Sequence, residues 1–181
     1  MWWGLGFPAV GRAQTVFVKN LLGTNWTEVS WDRTLGTPFT VGDESARVSA
    51  LGFFDEQGDG LAAAHEVGIY GPDQALLGKV TVPAGTAAPL RQGARWVSLD
   101  PPILLASNTP YMLAATVKAG ADRVNAANPT TARIHSGFSL AGTGYQFANG
   151  EQLQYPDLET QTMVYGFGGN FELAACPNCG A

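Results

Sequence analysis

VSALGFFDEQGDGLAAAHEVGIYGPDQALL, residues 48–77, decides the fold. β-Branched, aromatic and small apolar residues run from Val48 to Phe54, and a second such run from Glu66 to Tyr70, composition that favours strands. Between them lies an acidic loop holding Asp55, Glu56 and Asp59 with Gly58 and Gly60. Beyond them, Gly71-Pro72-Asp73-Gln74 has the chemistry of a tight turn, because proline presets φ and an aspartate side chain can bond the backbone two residues on. Residues 66–70 and 75–82 are therefore expected to pair as a hairpin. LAAAHEV offers barely two helical turns before Gly68, and nowhere do apolar residues recur at i, i+3, i+4, i+7 for three turns.

The same reading extends in both directions. Residues 15–22 (TVFVKNLL) form a first strand, residues 95–99 and 111–118 two more, separated by Asp100-Pro101-Pro102 and Asn108-Thr109-Pro110. Residues 121–150 are polar, glycine-rich and proline-interrupted, which suggests loop with short strands. Residues 162–167 (TMVYGF) are the last strand of strong pattern, and residues 168–173 follow as a final edge strand. The 23 glycines and 11 prolines fall between short strand-like runs, as turn residues in an all-β protein should. The expected fold is all-β, a single, mostly antiparallel β-sandwich of jelly-roll type spanning residues 15–175.

Composition narrows the function. Hydrophobic residues make up 45% of the 181-residue chain and charged residues only 14%, as in a globular domain. A net charge of −5 and the lack of any basic run argue against nucleic acid, whose binding needs clustered Lys and Arg. No apolar run reaches the roughly 20 residues of a membrane span. The N-terminal segment is apolar from Trp2 to Val10 and ends in Gly11-Arg12-Ala13, a small-x-small pattern that reads as a signal peptide over residues 1–13. Cys176 and Cys179, the only cysteines, stand in the tail of residues 176–181 and are candidates for a local disulfide. One C-x-x-C supplies only half of a structural zinc site.

Three chemistries are open. Asp55, Glu56 and Asp59 offer the hard oxygen ligands that calcium prefers, although their spacing is not that of an EF-hand. Trp26, Trp31, Tyr145 and Tyr155 are candidates for stacking on sugars, whereas Trp96, inside a strand, is read as core. A hydrolase is the weakest reading. His65 and Glu66 are adjacent on a strand and point to opposite faces. Ser136 can be combined with His65 or His135 and with Asp59 only on paper, since no Gly-x-Ser-x-Gly elbow presents a serine. His65 is better read as holding a loop by hydrogen bonds.

The pattern Phe54-Asp55, Gly58-Asp59-Gly60-Leu61 and His65-Glu66-Val67-Gly68-Ile69, continued by ILLASNTPYMLAAT and the closing YGFGGNFEL, resembles bacterial PEP-CTERM-type surface proteins and related exported β-sandwich domains of unknown function. The resemblance covers roughly residues 39–117 and the closing segment. It implies export, a β-sandwich, and display at the cell surface or in an extracellular matrix, without an established activity. Such proteins continue into a Pro-Glu-Pro sorting signal, an apolar helix and a basic tail, where this chain has AACPNCGA, so the sorting anchor is expected to be lacking. Together these readings describe a secreted or surface-exposed, non-catalytic protein, structural or glycan-binding. Its expected partners are extracellular polysaccharide or other surface proteins, and its only candidate cofactor is calcium.

Overall fold

The turn at residues 71–74 closes as its residues require. The Gly71 amide donates to the Ala75 carbonyl and the Gln74 amide to that of Gly71, while the Asp73 carboxylate accepts from the Ala75 amide. The flanking strands pair from His65↔Val82 to Tyr70↔Leu76, with one irregularity between Ile69 and Tyr70. The computed structural model describes residues 15–21, 25–128, 130–159 and 165–174. The signal segment expected over residues 1–13, and Cys176 and Cys179, lie outside the described residues.

Strands β1 (Thr15–Val16), β2 (Val18–Leu21), β3 (Trp26–Thr27), β4 (Arg33–Val41), β5 (Ala46–Phe54), β6 (His65–Tyr70), β7 (Leu76–Val82) and β8 (Leu90–Arg91) make up the first half. The second half contributes β9 (Ala94–Leu105), β10 (Pro110–Val117), β11 (Val124–Ala127), β12 (Ala132–Ile134), β13 (Phe138–Leu140), β14 (Gln146–Asn149), β15 (Leu158–Glu159), β16 (Tyr165–Phe167) and β17 (Gly169–Leu173). They build one sheet in the order β1-β17-β5-β9-β8 and another in the order β15-β14-β4-β10-β6-β7, with β13 also on β4. Two small sheets, β16-β11-β3 and β12-β2, complete the architecture. The protein is all-β, and its antiparallel sheets pack as a sandwich, as expected.

Alternation along β10 shows how the layers are made: Tyr111, Leu113, Ala115 and Val117 face the main core, while Met112 and Ala114 join a second cluster on the opposite face. In the core, Phe171 of β17 stacks on Phe17 at 4.7 Å and meets Phe39 of β4 at 5.3 Å, with Phe138 edge-on to all three. Trp96 is 2% exposed and donates its indole N–H to the Arg91 carbonyl, the buried position its strand context implies.

Three details were not read from the sequence. β9 does not stop before Asp100 but runs on through Pro101 and Pro102. Its ladder with β5 passes from Ser98↔Ala50 directly to Ile103↔Val48, so residues 99–102 form an irregularity opposite Ser49, where no ladder donor is required of proline. The stretch around Pro38 belongs to a nine-residue strand, β4, at the middle of its sheet. Pro38 falls in the gap between β14, which pairs residues 33–36, and β13, which pairs residues 39–41. Finally, β17 is no edge strand: β1 lies on one side of it and β5 on the other. Edge position depends on where β1 docks, which strand composition does not reveal.

The outer face of the larger sheet carries a row of small residues in register, Gly36–Ala114–Gly68. The segment of residues 152–156 lies across this row as a strap. A Cβ on Gly36 would sit 2.3 Å from Pro156 Cγ, and one on Gly68 would sit 2.8 Å from Leu153 Cδ2. Tyr155 packs edge-on against Tyr70 beneath it, and the Leu153 amide donates to the Glu66 carboxylate. Gly36→Val is expected to lift the strap, at a cost of about 1–3 kcal/mol in denaturant unfolding, with faster proteolysis within residues 150–157.

Candidate functional site: an aromatic groove beside charged loops

Register gathers several loops at one end of the sandwich. Arg33 pairs with both Val117 and Asn149, and His65 starts the neighbouring strand, so the segments 27–32, 55–64, 118–123 and 150–152 all adjoin this end of the larger sheet.

Here the acidic loop is organised from inside. Asp55 and Arg95 are buried at 5% and 4% exposure, and the Arg95 Nε donates to Asp55 Oδ2 at 2.8 Å. The same carboxylate accepts the Gly58 and Gly60 amides at 2.9 and 3.0 Å. Both glycines have positive φ, +74° and +120°, conformations that turn these amides inward and that a side chain would strain. Arg95 uses its remaining donors on the carbonyls of Gly58, Thr86 and Ala88, which ties residues 83–93 to the acidic loop. Glu56 turns outward and pairs with Arg123 at 3.0 Å, and Asp59 is exposed. The three carboxylates expected to share a calcium ion therefore do not converge. Among the described residues, no cluster of three or more His, Cys, Asp or Glu side chains is arranged to hold a metal. An arginine 40 residues downstream holds Asp55 instead, a partner that local spacing could not indicate.

His65 has the loop-holding role read from the sequence. It is fully buried, stacks on Phe53 at 3.7 Å, and places Nδ1 2.7 Å from the Thr116 carbonyl and Nε2 2.8 Å from Asp122 Oδ2. The buried ring thereby bridges the Thr116 carbonyl and the Asp122 carboxylate. Asp122 also accepts the Ala62 and Ala63 amides, clamping the segment before β6. Burial pushes the Asp122 carboxyl up, but the His65 hydrogen bond, the two amides and the His65 charge outweigh it and hold the group below its ordinary 3.8. Glu66 points to the other face and pairs with Lys79.

The serine combination is not assembled. Ser136 and His135 adjoin β13, which pairs with the Val41 end of β4, whereas His65 and Asp59 lie at the Arg33 end, roughly 27 Å away along a nine-residue strand. His135 accepts the Gly137 amide at Nδ1, and burial together with Lys19 holds it below its ordinary 6.5.

The four candidate sugar-stacking residues divide. Trp26 packs on the core edge-on to Phe54 at 6.4 Å, and Tyr155 belongs to the strap and packs edge-on against Tyr70. Trp31 and Tyr145 come together. Trp31 is 66% exposed, and with Asp32, Arg33, Phe147 and Asn149 it lines an open groove of about 590 Å³. A second depression of about 190 Å³ adjoins it at Trp31 and Arg33 and is walled by Leu35, Val124 and Tyr145. The Arg33 guanidinium lies 5.2 Å from the Trp31 ring centre and 5.4 Å from that of Phe147, holding both rings at the groove by cation–π attraction. Phe147 and Arg33 escaped the sequence reading because nothing in ANPTTARIHSGFSLAGTGYQFANG marks β14 as the partner of β4. Neither histidine lines either depression.

The fold and this groove describe an antiparallel β-sandwich with an exposed aromatic surface at its loop end. The chain belongs to the family described as domain of unknown function DUF4082, whose model matches residues 23–166. No curated protein matches it.

Two outcomes test the loop end. Removing one member of the buried pair, as in Asp55→Ala, is expected to cost about 3–5 kcal/mol, and Asp55→Ala with Arg95→Met less than the sum of the two single changes, by denaturant titration. Because the folded-state pKa of Asp122 is depressed, its stabilisation is present above 3.8 and is lost as pH falls through the lower folded value. Asp122→Asn should therefore lower the melting temperature at neutral pH and flatten its decline below pH 4.

Proposed function

We propose that this is a non-catalytic extracellular domain, displayed at a surface or in a matrix, that binds polysaccharide through the Trp31 groove. One observation carries the reading. An indole exposed to 66% is held beside Phe147 by an arginine at the mouth of an open groove. Leaving an indole in water forgoes the free energy of its burial, and its grouping with a second ring and a guanidinium at a groove supports the reading of this surface as a contact site. The apolar C–H faces of sugar rings stack on such planes, while Asn149 and the Arg33 guanidinium offer hydrogen bonds to hydroxyls around the rim. The apolar N-terminal segment and the resemblance to exported surface proteins support the extracellular setting.

A glycan array probed with the purified protein, followed by affinity electrophoresis in the retained polysaccharides, tests the proposal. Trp31→Ala should weaken retention at least about tenfold while leaving the melting temperature unchanged, since the ring contributes little to the core. A folded wild-type protein that retains no polysaccharide would remove the glycan reading.

A further inference from the structure

Among the described residues Arg33 forms no ion pair, and it is half-buried. Of the other described arginines, Arg91 is paired with Glu172, Arg95 with Asp55 and Arg123 with Glu56, while Arg47 and Arg133 form no ion pair either but are exposed to solvent. The Arg33 Nε is buried without a hydrogen-bond partner, and among the described residues no carboxylate pairs with its guanidinium. The adjacent Asp32 is engaged elsewhere, accepting the Ala119 amide at 2.7 Å and facing Lys118 at 3.6 Å. Glu28, the other carboxylate at the groove, lines the smaller depression and forms no ion pair among the described residues. A half-buried guanidinium close to two rings therefore lines the same groove as the exposed indole, with its Nε buried and unpartnered and its Nη donors in no ion pair among the described residues.

Resting on the glycan reading above, we propose that the groove is selective for acidic sugars. A uronate ring would stack on Trp31 while its carboxylate accepts from Arg33. A carboxylate has the planar, two-oxygen geometry that a guanidinium edge pairs with bidentately, and such charge-assisted bonds are stronger than those to neutral hydroxyls. The stacking of Arg33 between Trp31 and Phe147 fixes that edge in advance, so little side-chain freedom is lost on binding. With a net charge of −5 the chain exerts no long-range pull on a polyanion. Selectivity then comes from contact at one site, and affinity should fall only weakly with salt.

Isothermal titration with oligogalacturonate and oligomannuronate, against their methyl esters and neutral cello- and mannohexaose, separates the possibilities. At least one uronate oligomer should bind about tenfold more tightly than its own ester. Arg33→Gln should reduce that affinity to the level of the ester, and Arg33→Lys should fail to restore it. Arg33→Met, which keeps an apolar stem between the rings, controls for their displacement and should match Arg33→Gln. Equal binding of acid and ester, or an Arg33→Gln protein that still prefers the acid, would overturn acidic selectivity. Trp31-dependent binding of the esters or neutral sugars would then leave the glycan reading intact. Silence towards every oligomer from a folded protein would end the acidic-sugar proposal, and silence on the glycan array as well would end both.

Discussion

A carboxylate and a guanidinium taken out of water together must satisfy nearly every polar atom they carry, and the loop end of this sandwich is built around that requirement. Asp55 and Arg95 face each other at 2.8 Å, and their other donors and acceptors are met by backbone groups from residues 58, 60, 86 and 88. Unpaired, either charge would carry a desolvation penalty of several kcal/mol. Paired, they dictate where two loops lie. The acidic loop takes its shape from inside, and this frees Glu56 to reach Arg123, whose guanidinium also donates to the Trp26 carbonyl at 2.6 Å. Through that chain of contacts the buried pair is linked to β3, which leads into the segment carrying Trp31.

Local chemistry was legible in the sequence wherever a structure rests on neighbouring residues. The hairpin of β6 and β7, the turn at residues 71–74, the divergence of His65 from Glu66 and the burial of Trp96 all follow from spacing and side-chain type. What could not be read depends on distant pairings. Asp55 looks like a calcium ligand until Arg95 is placed against it. Trp26 and Trp31 look equivalent until β3 turns the first toward Phe54 and the loop after it leaves the second in water. The Pro101-Pro102 pair reads as a break, yet it sits where an irregularity in the ladder demands no donor.

Membership in a family of unknown function brings no chemistry, so any functional conclusion has to come from the site itself. The residues that hold the sandwich and those that line the groove are different. The buried ionic pairs and the stacked phenylalanines hold the sandwich, while Trp31, Arg33 and Phe147 stand at its margin with an unmatched cation among them. Substitutions at the groove can therefore change this surface without loosening the core.

The pairing of β1 with β17 has a mechanical meaning. Thr15 lies directly across from Leu173, so the two ends of the described core leave the sheet side by side. Tension applied between those ends would load the β1–β17 hydrogen bonds one after another, peeling the short outer strand away instead of shearing the whole ladder at once. Under a pull along the chain its first strand yields early, while the sheet that carries the groove stays out of the line of force.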